Sequence, residues 1–309
     1  MASQTMRDVK ALMFDRRRDV VGGPPPTVEE LRAGFYETMA ALPPGPGARF
    51  EAVDAGGVAA ESGVLEAEIE VRGTLYYLHG GGYFEGSPTT HRRLVTSLCL
   101  AAGLRGLSVD YRLAPEFPFP AAVDDALAGY RWLIDAGGED PERVVVAGDS
   151  AGAGLSAALL IALRDAGDPL PAGAYLISPW TDLAGTGDSM RTRADADPMI
   201  DPNQMAGTAA RYVPDGDLRN PLVSPLYAEL DGLPPLLVHV GDAEVLLDDA
   251  TRFVERSRLA GVPVESEVWP EAFHVFQMLA GMLPEADEAI ARAGAWITER
   301  LTAGARCHP

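Results

Sequence analysis

Ser150 is the residue whose surroundings point most directly to chemistry. It lies at the centre of the motif GDSAG (residues 148–152), which follows the apolar run VVVA (144–147) and precedes a helix-prone segment. A G-x-S-x-G motif between a strand and a helix is the context in which serine acts as a nucleophile. The glycines remove Cβ atoms where strand and helix crowd the turn, and the helix N-terminus directs N–H groups at a developing oxyanion. The motif therefore predicts acyl transfer through Ser150.

A second motif overlaps the first, because residues 152–157 (GAGLSA) fit the G-x-G-x-x-A fingerprint of dinucleotide-binding proteins. That fingerprint needs its first glycine at the end of the strand, whereas three residues intervene here after Gly148. It also needs an acidic residue after the next strand, where this chain has the dipeptide SP (178–179). The small residues are better explained by close packing of a helix on a sheet than by an oxidoreductase site.

The motif HGGG (residues 79–82) is the second chemical signal. It follows the apolar segment TLYYLH (74–79) and precedes Ser150 by about 70 residues. Three consecutive glycines leave backbone N–H groups uncovered and permit positive φ angles, as an oxyanion hole of main-chain donors requires. An ordinary glycine-rich turn is the alternative, but two motifs in this order favour a hydrolase.

The elements that must position these motifs alternate between strands and helices. Strand-like runs lie at 50–54, 67–71, 74–79, 104–110, 143–148, 173–178, 235–240 and 264–269. Helical runs lie at 5–20, 27–41, 90–102, 120–136, 151–166, 247–260 and 285–303. Near-continuous apolar strands separated by helices predict an α/β fold with a mostly parallel sheet covered on both faces.

One interval interrupts this alternation. Residues 184–232 are rich in Asp, Gly and Pro, with one helical piece near 202–213, and are too long for an ordinary connection. We expect a functional insertion within one domain spanning residues 1–309.

Four motifs together resemble the bacterial hormone-sensitive lipase branch of the α/β-hydrolase esterases. They are HGGG (79–82), YRLAPE with FPAA (111–122), GDSAG (148–152) and DPM (197–199), all in that family's order, with resemblance running from about residue 45 to 300. The resemblance implies an α/β-hydrolase fold with a helical cap. We assign the cap to residues 1–45 and 184–214, and the catalytic core to 46–183 and 215–309.

The resemblance also implies roles for particular backbone groups. In that branch the backbone N–H groups at the positions of Gly81 and Gly82 donate hydrogen bonds to the oxyanion, together with the N–H group at the position of Ala151. The YRLAPE segment is expected to support this loop, with Arg112 and Glu116 paired beside its proline-rich turn.

His274 is the expected general base. It follows the strand VESEVW (264–269), and the order Ser, acid, His in this fold requires a histidine after the last strand. A surface histidine capping a helix is the alternative. The other histidines are explained by the HGGG loop (His79), a helix start (His91), a strand core (His239) and the tail (His308).

The acid lies in the loop after the strand PLLVHV (235–240), which contains Asp242, Glu244 and Asp248. These acids could form a solvated helix start favoured by the helix dipole. A triad acid must nevertheless leave this loop to hold His274 in the right tautomer. The family pattern places it at Glu244, with Asp242 and Asp248 as alternatives.

A small ester is the expected substrate. Pocket candidates are Tyr83, Phe84, Met199 and Leu246, with Phe14, Phe35 and Tyr36 from the cap, and core packing is the alternative for the cap residues. An apolar pocket in an acidic protein favours neutral acyl esters. The resemblance implies short or medium acyl chains.

Other activities remain open. A lactone hydrolase or a deacetylase of a small metabolite would use the same chemistry. A non-catalytic ligand-binding homologue is a further alternative, but the hormone receptors that resemble these esterases lack the catalytic histidine, whereas His274 is present here.

Composition excludes some partners. With 25 Lys+Arg against 45 Asp+Glu, the net charge of −20 disfavours nucleic acid and anionic membranes. The chemistry needs neither a metal nor an organic cofactor. The resemblance is compatible with a homodimer.

The sequence favours a cytoplasmic protein. Cys99 and Cys307 are too few for a disulfide framework and indicate free thiols. The charged N-terminus lacks a signal-type apolar core, and the longest apolar stretch, 155–163, is about half of the roughly 20 residues that span a bilayer.

Overall fold

The computed structural model describes residues 2–19, 26–42, 45, 47–66, 68 and 70–304. The helices in this part of the chain are α1 (Gln4–Asp19), α2 (Val28–Ala40), α3 (Pro88–Ala102), α4 (Ala121–Asp135), α5 (Ala151–Ala166), α6 (Ser189–Thr192), α7 (Pro202–Tyr212), α8 (Leu247–Leu259) and α9 (Pro284–Gly304). The strands are β1 (Ala48–Asp54), β2 (Ala59–Leu65), β3 (Gly73–Leu78), β4 (Leu104–Val109), β5 (Val144–Asp149), β6 (Gly173–Ile177), β7 (Leu236–Gly241) and β8 (Val264–Trp269). Cys307 and His308 lie outside the described residues.

The eight strands form one sheet in the order β1-β2-β4-β3-β5-β6-β7-β8. The pairs β1–β2 and β2–β4 are antiparallel, and every pair from β4–β3 to β7–β8 is parallel. Every residue of β3, β5, β6 and β7 is buried, since α3 and α9 cover one face and α4, α5 and α8 cover the other. The predicted α/β-hydrolase architecture is confirmed.

One predicted strand is wrong. Residues 68, 70 and 71 lie outside any strand, whereas β2 runs at 59–65, earlier than expected. The segment AEIEV (67–71) alternates apolar and charged residues, a pattern typical of strands. The centre of β2 is Glu61-Ser62-Gly63, which are residue types that do not indicate a strand. Gly63 admits the Phe50 ring of the partner strand, because a Cβ atom there would lie 3.1 Å from Phe50 Cε1. Backbone pairing with β1 and β4 therefore outweighs the weak side-chain pattern.

The N-terminal helices pack on two different parts of the core. Met6 of α1 is fully buried in a separate apolar cluster with Trp269, the last residue of β8, and with Phe273 and Phe276. Helix α2 buries no residue completely, and its Arg32 donates hydrogen bonds to Phe84 O, Ala114 O and the Glu116 carboxylate. The short α6 was not predicted, and α7 matches the helical piece expected near 202–213. Whether these segments form a separate cap stays a prediction.

None of the helices in the described residues is long and apolar enough to cross a lipid bilayer.

Candidate active site

Ser150 occupies the sharp turn between β5 and α5. Its φ and ψ angles are 55° and −122°, a conformation that side-chain-bearing residues rarely adopt and that surrounding structure must hold. Two hydrogen bonds hold it: Ser150 N donates to Ile177 O at 2.8 Å, and Trp180 N donates to Ser150 O at 3.0 Å. A Cβ atom on Gly152 would lie 2.1 Å from Leu78 O, so that glycine serves close packing of α5 on the sheet. Close packing of α5 on the sheet therefore accounts for glycine at position 152, as expected from the sequence.

His274 and Glu244 lie at the same edge of the sheet as Ser150. Glu244 follows β7 and His274 follows β8, so both extend from carboxyl ends of parallel strands, where ligand sites of open α/β sheets occur. His274 Nδ1 lies 2.6 Å from Glu244 Oε2, and both residues are buried. Because a carboxylate can only accept, Nδ1 donates this bond, and Nε2 is the ring nitrogen left for proton exchange.

Ser178 is a member of this site that sequence reasoning missed. Its hydroxyl donates to Glu244 Oε1 at 2.8 Å and accepts from Val275 N at 3.1 Å. Gly241 N donates to the same Glu244 oxygen at 2.7 Å, so both carboxylate oxygens have fixed partners. The available signal was position alone: Ser178 follows β6, the strand between the serine strand and the acid strand.

The other two candidate acids have different partners. Asp242 Oδ1 accepts from Glu271 N at 2.6 Å, and Asp248 Oδ2 accepts from Ser189 N at 2.9 Å. Of the three acids in this loop, Glu244 is the one that is hydrogen-bonded to His274. The geometry therefore favours Glu244 over Asp242 and Asp248.

Asp197 of the DPM motif joins the acid loop to the inserted segment. Its Oδ2 accepts from Val245 N at 2.9 Å, and its Oδ1 accepts from Met199 N and Ile200 N at 2.8 and 3.0 Å. Burial raises the pKa of Asp197, although the nearby His274 ring opposes this. The motif thus fixes the chain directly beside Glu244.

The charge balance around His274 favours its protonated form. Burial alone would lower the pKa of His274, but Glu244, and less strongly Asp197 and Asp149, raise it above the ordinary value. An imidazolium formed by proton transfer to this ring would therefore be stabilised.

The glycine loop (residues 79–85) follows β3, next to the serine strand. Gly81 and Gly82 have φ angles of 111° and 60°, which suit glycine. A Cβ atom on Gly81 would lie 2.2 Å from Glu85 O, and one on Gly82 would lie 2.9 Å from Thr208 Cγ2. Within the described part of the chain, neither N–H group donates a hydrogen bond to a backbone or side-chain acceptor. The Ala151 N–H at the start of α5 has no acceptor one turn earlier in its helix.

Helix α7 packs directly on the glycine loop. Tyr83 stacks on Tyr212 with ring centroids 3.8 Å apart and planes 2° apart, and Arg211 lies over the Phe84 ring at 5.0 Å. Tyr83 is thereby buried, as is Leu246 in the same apolar core, whereas Met199 is 43% exposed. Their assignment to a substrate pocket stays a prediction.

The prediction that Arg112 pairs with Glu116 is wrong. Arg112 makes an ion pair with Asp125 of α4 at 2.7 Å, whereas Glu116 pairs with Arg32 of α2, also at 2.7 Å. Arg112 leaves the end of β4 toward α4, so the nearest carboxylate lies on that helix. Arg32 also donates to Phe84 O at 2.7 Å and thereby ties α2 to the glycine loop.

The segment after β4 nevertheless supports the glycine loop, as predicted. Tyr111 Oη donates to His79 O at 2.6 Å, and Ala114 N donates to Tyr83 O at 2.9 Å.

Three of the histidines that were not assigned as the base lie in the elements expected for them. His239 is fully buried within β7, and burial lowers its pKa to about 3. His79 lies in the glycine loop and has a pKa lowered by burial to about 3. His91 belongs to the first turns of α3.

Comparisons with known proteins agree with this fold. A family model described as the alpha/beta hydrolase fold matches residues 75–278. An acetyl-hydrolase of Streptomyces hygroscopicus is 52% identical over 224 residues, which are 72% of this chain and 75% of that protein. An esterase of Acinetobacter venetianus is 35% identical over 263 residues, which are 84% of this chain and 86% of that protein.

Solved structures extend the likeness to almost the whole chain. The crystal structure of an esterase from the bacterial hormone-sensitive lipase family is similar with a TM-score of 0.91 and 42% identity, covering 97% of this chain and 99% of that one. The order of the four sequence motifs, the sheet topology and these matches agree: the chain belongs to the α/β-hydrolase family, in its bacterial hormone-sensitive lipase branch.

Proposed function

We propose that this protein is a serine carboxylesterase that hydrolyses esters of short to medium acyl groups through an acyl-enzyme on Ser150. The observation that carries the proposal is the 2.6 Å hydrogen bond between His274 and Glu244 at the sheet edge where Ser150 occupies its strained turn. Family membership and the relative named esterase support ester hydrolysis, and the relative named acetyl-hydrolase supports a small acyl group.

In the acylation step, Ser150 Oγ attacks the ester carbonyl carbon while His274 Nε2 takes the hydroxyl proton. The carbonyl oxygen becomes an oxyanion, which the N–H groups of Gly81, Gly82 and Ala151 stabilise. Collapse of this intermediate breaks the bond to the alcohol oxygen, which receives the proton from His274.

Deacylation repeats the sequence with water. His274 removes a proton from water, whose oxygen attacks the acyl carbon. Collapse of this second intermediate breaks the bond from the acyl carbon to Ser150 Oγ, which receives the proton from His274, and the carboxylic acid leaves. Glu244 holds the His274 ring in place through both steps and stabilises its positive charge.

The N-terminal helices and the 184–214 segment are proposed to cap this site. Arg32 of α2 and Arg211 of α7 both contact Phe84, the residue two positions after Gly82. Removal of an acetyl group from a small metabolite is a second candidate, favoured by the relative named acetyl-hydrolase.

A panel of p-nitrophenyl esters from acetate to dodecanoate tests the substrate class. We expect kcat/KM to be highest for the shorter acyl chains and at least about tenfold lower for dodecanoate. Each methylene group of the acyl chain that does not fit the pocket weakens binding of the transition state. A lactone and an N-acetyl amine included in the panel test the alternative substrates.

Labelling with a fluorophosphonate tests the nucleophile, and the modified peptide should contain Ser150. No turnover of any panel member, or a label on a different residue, would contradict the proposal.

The pH dependence tests the role of His274. Because only the neutral ring can accept the Ser150 proton, kcat/KM should fall as pH drops through the pKa of His274. That pKa is raised, so the acidic limb should have its midpoint above the ordinary histidine value of 6.5. The measurement is a pH-stat profile with p-nitrophenyl acetate. A midpoint below 6.5 would show that burial outweighs the carboxylates around the His274 ring.

A further inference from the structure

Asp149, the residue before the nucleophile, contacts the glycine loop. Its Oδ1 accepts from Gly80 N at 3.0 Å and from Tyr77 Oη at 2.6 Å. His91 Nε2 lies 3.4 Å from the same oxygen. The side chain thus reaches from the end of β5 across to the end of β3, and α3 covers it from the side.

The Asp149 carboxylate restricts the residue type at position 80 to glycine. A Cβ atom on Gly80 would lie 2.1 Å from Asp149 Oδ2, so no other residue type fits there without displacing Asp149. The first glycine of the HGGG motif therefore serves the contact with Asp149, whereas Gly81 and Gly82 carry the N–H groups assigned to the oxyanion. Two motifs that lie about 70 residues apart in the chain meet at this point.

The carboxylate is buried and charged. Asp149 is 3% exposed, and burial would raise its pKa, but His91 and the Tyr77 hydroxyl lower it below the ordinary value. A buried anion is expensive unless hydrogen bonds compensate it, and Asp149 accepts two, from Gly80 N and from Tyr77 Oη. Moving Gly80 away would remove one of these partners, so the loop is strongly held where it is.

We propose that Asp149 is a positioning residue for the proposed ester hydrolysis. Its carboxylate fixes the glycine loop relative to the nucleophile turn, so that the Gly81 and Gly82 N–H groups lie where the oxyanion forms. Asp149 precedes Ser150 directly, so one side chain sets the spacing between the nucleophile and its oxyanion donors. This inference rests on the proposed function.

Three variants separate positioning from general stability. Asp149→Ala removes the acceptor for Gly80 N, and Asp149→Asn keeps an acceptor oxygen but removes the charge. Tyr77→Phe is the matched control, because it removes a donor to the same Oδ1 and leaves the Gly80 bond in place. Each variant is titrated with a fluorophosphonate, so that rates are expressed per active site.

The readouts are the acylation rate in the first turnover of p-nitrophenyl acetate, the KM, and the inhibition constant of a trifluoromethyl ketone. Ser150 Oγ would add to the carbonyl carbon of such a ketone, and the carbonyl oxygen would become an oxyanion in the proposed hole. We expect Asp149→Ala to lower the acylation rate by about 100-fold, similar to loss of an oxyanion donor, and Asp149→Asn by about tenfold. Ketone affinity should fall by the same factors, while KM changes less than about threefold. Tyr77→Phe should change the acylation rate less than about threefold.

Several outcomes would overturn the inference. One is wild-type acylation per titrated site in Asp149→Asn or Asp149→Ala; if Asp149→Ala does not fold, Asp149→Asn decides. Another is a loss in Tyr77→Phe as large as in Asp149→Asn when the melting temperatures of the two variants are lowered equally, because the loss would then follow general destabilisation and not the Gly80 contact. Absence of a burst and of Ser150 labelling in the unaltered protein would instead refute the proposed function.

Discussion

Replacing Ser150 with alanine is expected to lower kcat by roughly 10⁵- to 10⁶-fold, the loss found when the nucleophile of a serine hydrolase is removed. The proposed oxyanion donors and the His274–Glu244 pair stay in place in this variant, so only slow attack by water is expected to remain. The fold should survive, because the Ser150 backbone is held by Ile177 O and Trp180 N, which the substitution does not touch. The measurement is turnover of p-nitrophenyl acetate, with the melting temperature recorded in parallel.

Ser156→Ala is the matched control. Ser156 lies on the same helix, is fully buried, and donates to Gly152 O at 2.7 Å within that helix. Its loss removes one hydroxyl from α5 without touching the reacting groups, so kcat should stay within a few-fold of the unaltered protein. A Ser150→Ala variant that keeps a tenth of the activity, or an equal loss in Ser156→Ala, would refute the assignment of Ser150.

Replacing Glu244 with glutamine is expected to lower kcat by about 10³- to 10⁴-fold, as for loss of the carboxylate in other triads. Gly241 N–H can only donate, so the glutamine carbonyl oxygen is drawn to it and the amide NH₂ is turned toward His274 Nδ1. The proton of the ring then moves to Nε2, which cannot act as a base. The measurements are kcat for p-nitrophenyl acetate and the pH profile.

Two further variants make this test specific. Glu244→Asp keeps the charge but withdraws the carboxylate by one methylene, so we expect an intermediate loss of about 10- to 100-fold. Asp248→Asn alters another acid of the same segment, whose Oδ2 accepts from Ser189 N, and should change kcat less than about threefold. A larger loss in Asp248→Asn than in Glu244→Gln would place the acid at Asp248 instead.

The elements that could be predicted from the sequence are those in which local chemistry dictates structure. The bounds of α5 and β8 match the predicted runs; in α5, a nearly unbroken run of small and apolar residues leaves few alternatives to a buried helix. The HGGG and GDSAG motifs were also informative, since positive φ angles and close backbone approach restrict the residue types that can stand at Gly81, Gly82 and Gly152.

Contacts between distant parts of the chain could not be predicted in this way. Ser178 contacts an acid 66 residues later, and Arg32 pairs with Glu116, 84 residues away. An isolated serine or arginine carries no periodicity, so its partner is defined only once the sheet order and the helix placement are known. The same holds for β2, whose polar centre is stabilised by pairing on both sides.

The contacts of Ser178 close a ring. Its hydroxyl bonds Glu244, Glu244 bonds His274, and the next residue, Val275, returns an N–H bond to the Ser178 hydroxyl. A closed ring is mechanically stiff, because displacing any one of its three segments stretches bonds to the other two. The entropy of ordering the proposed acid and base is therefore lost during folding and not again in each turnover, so the pair is already aligned when substrate arrives.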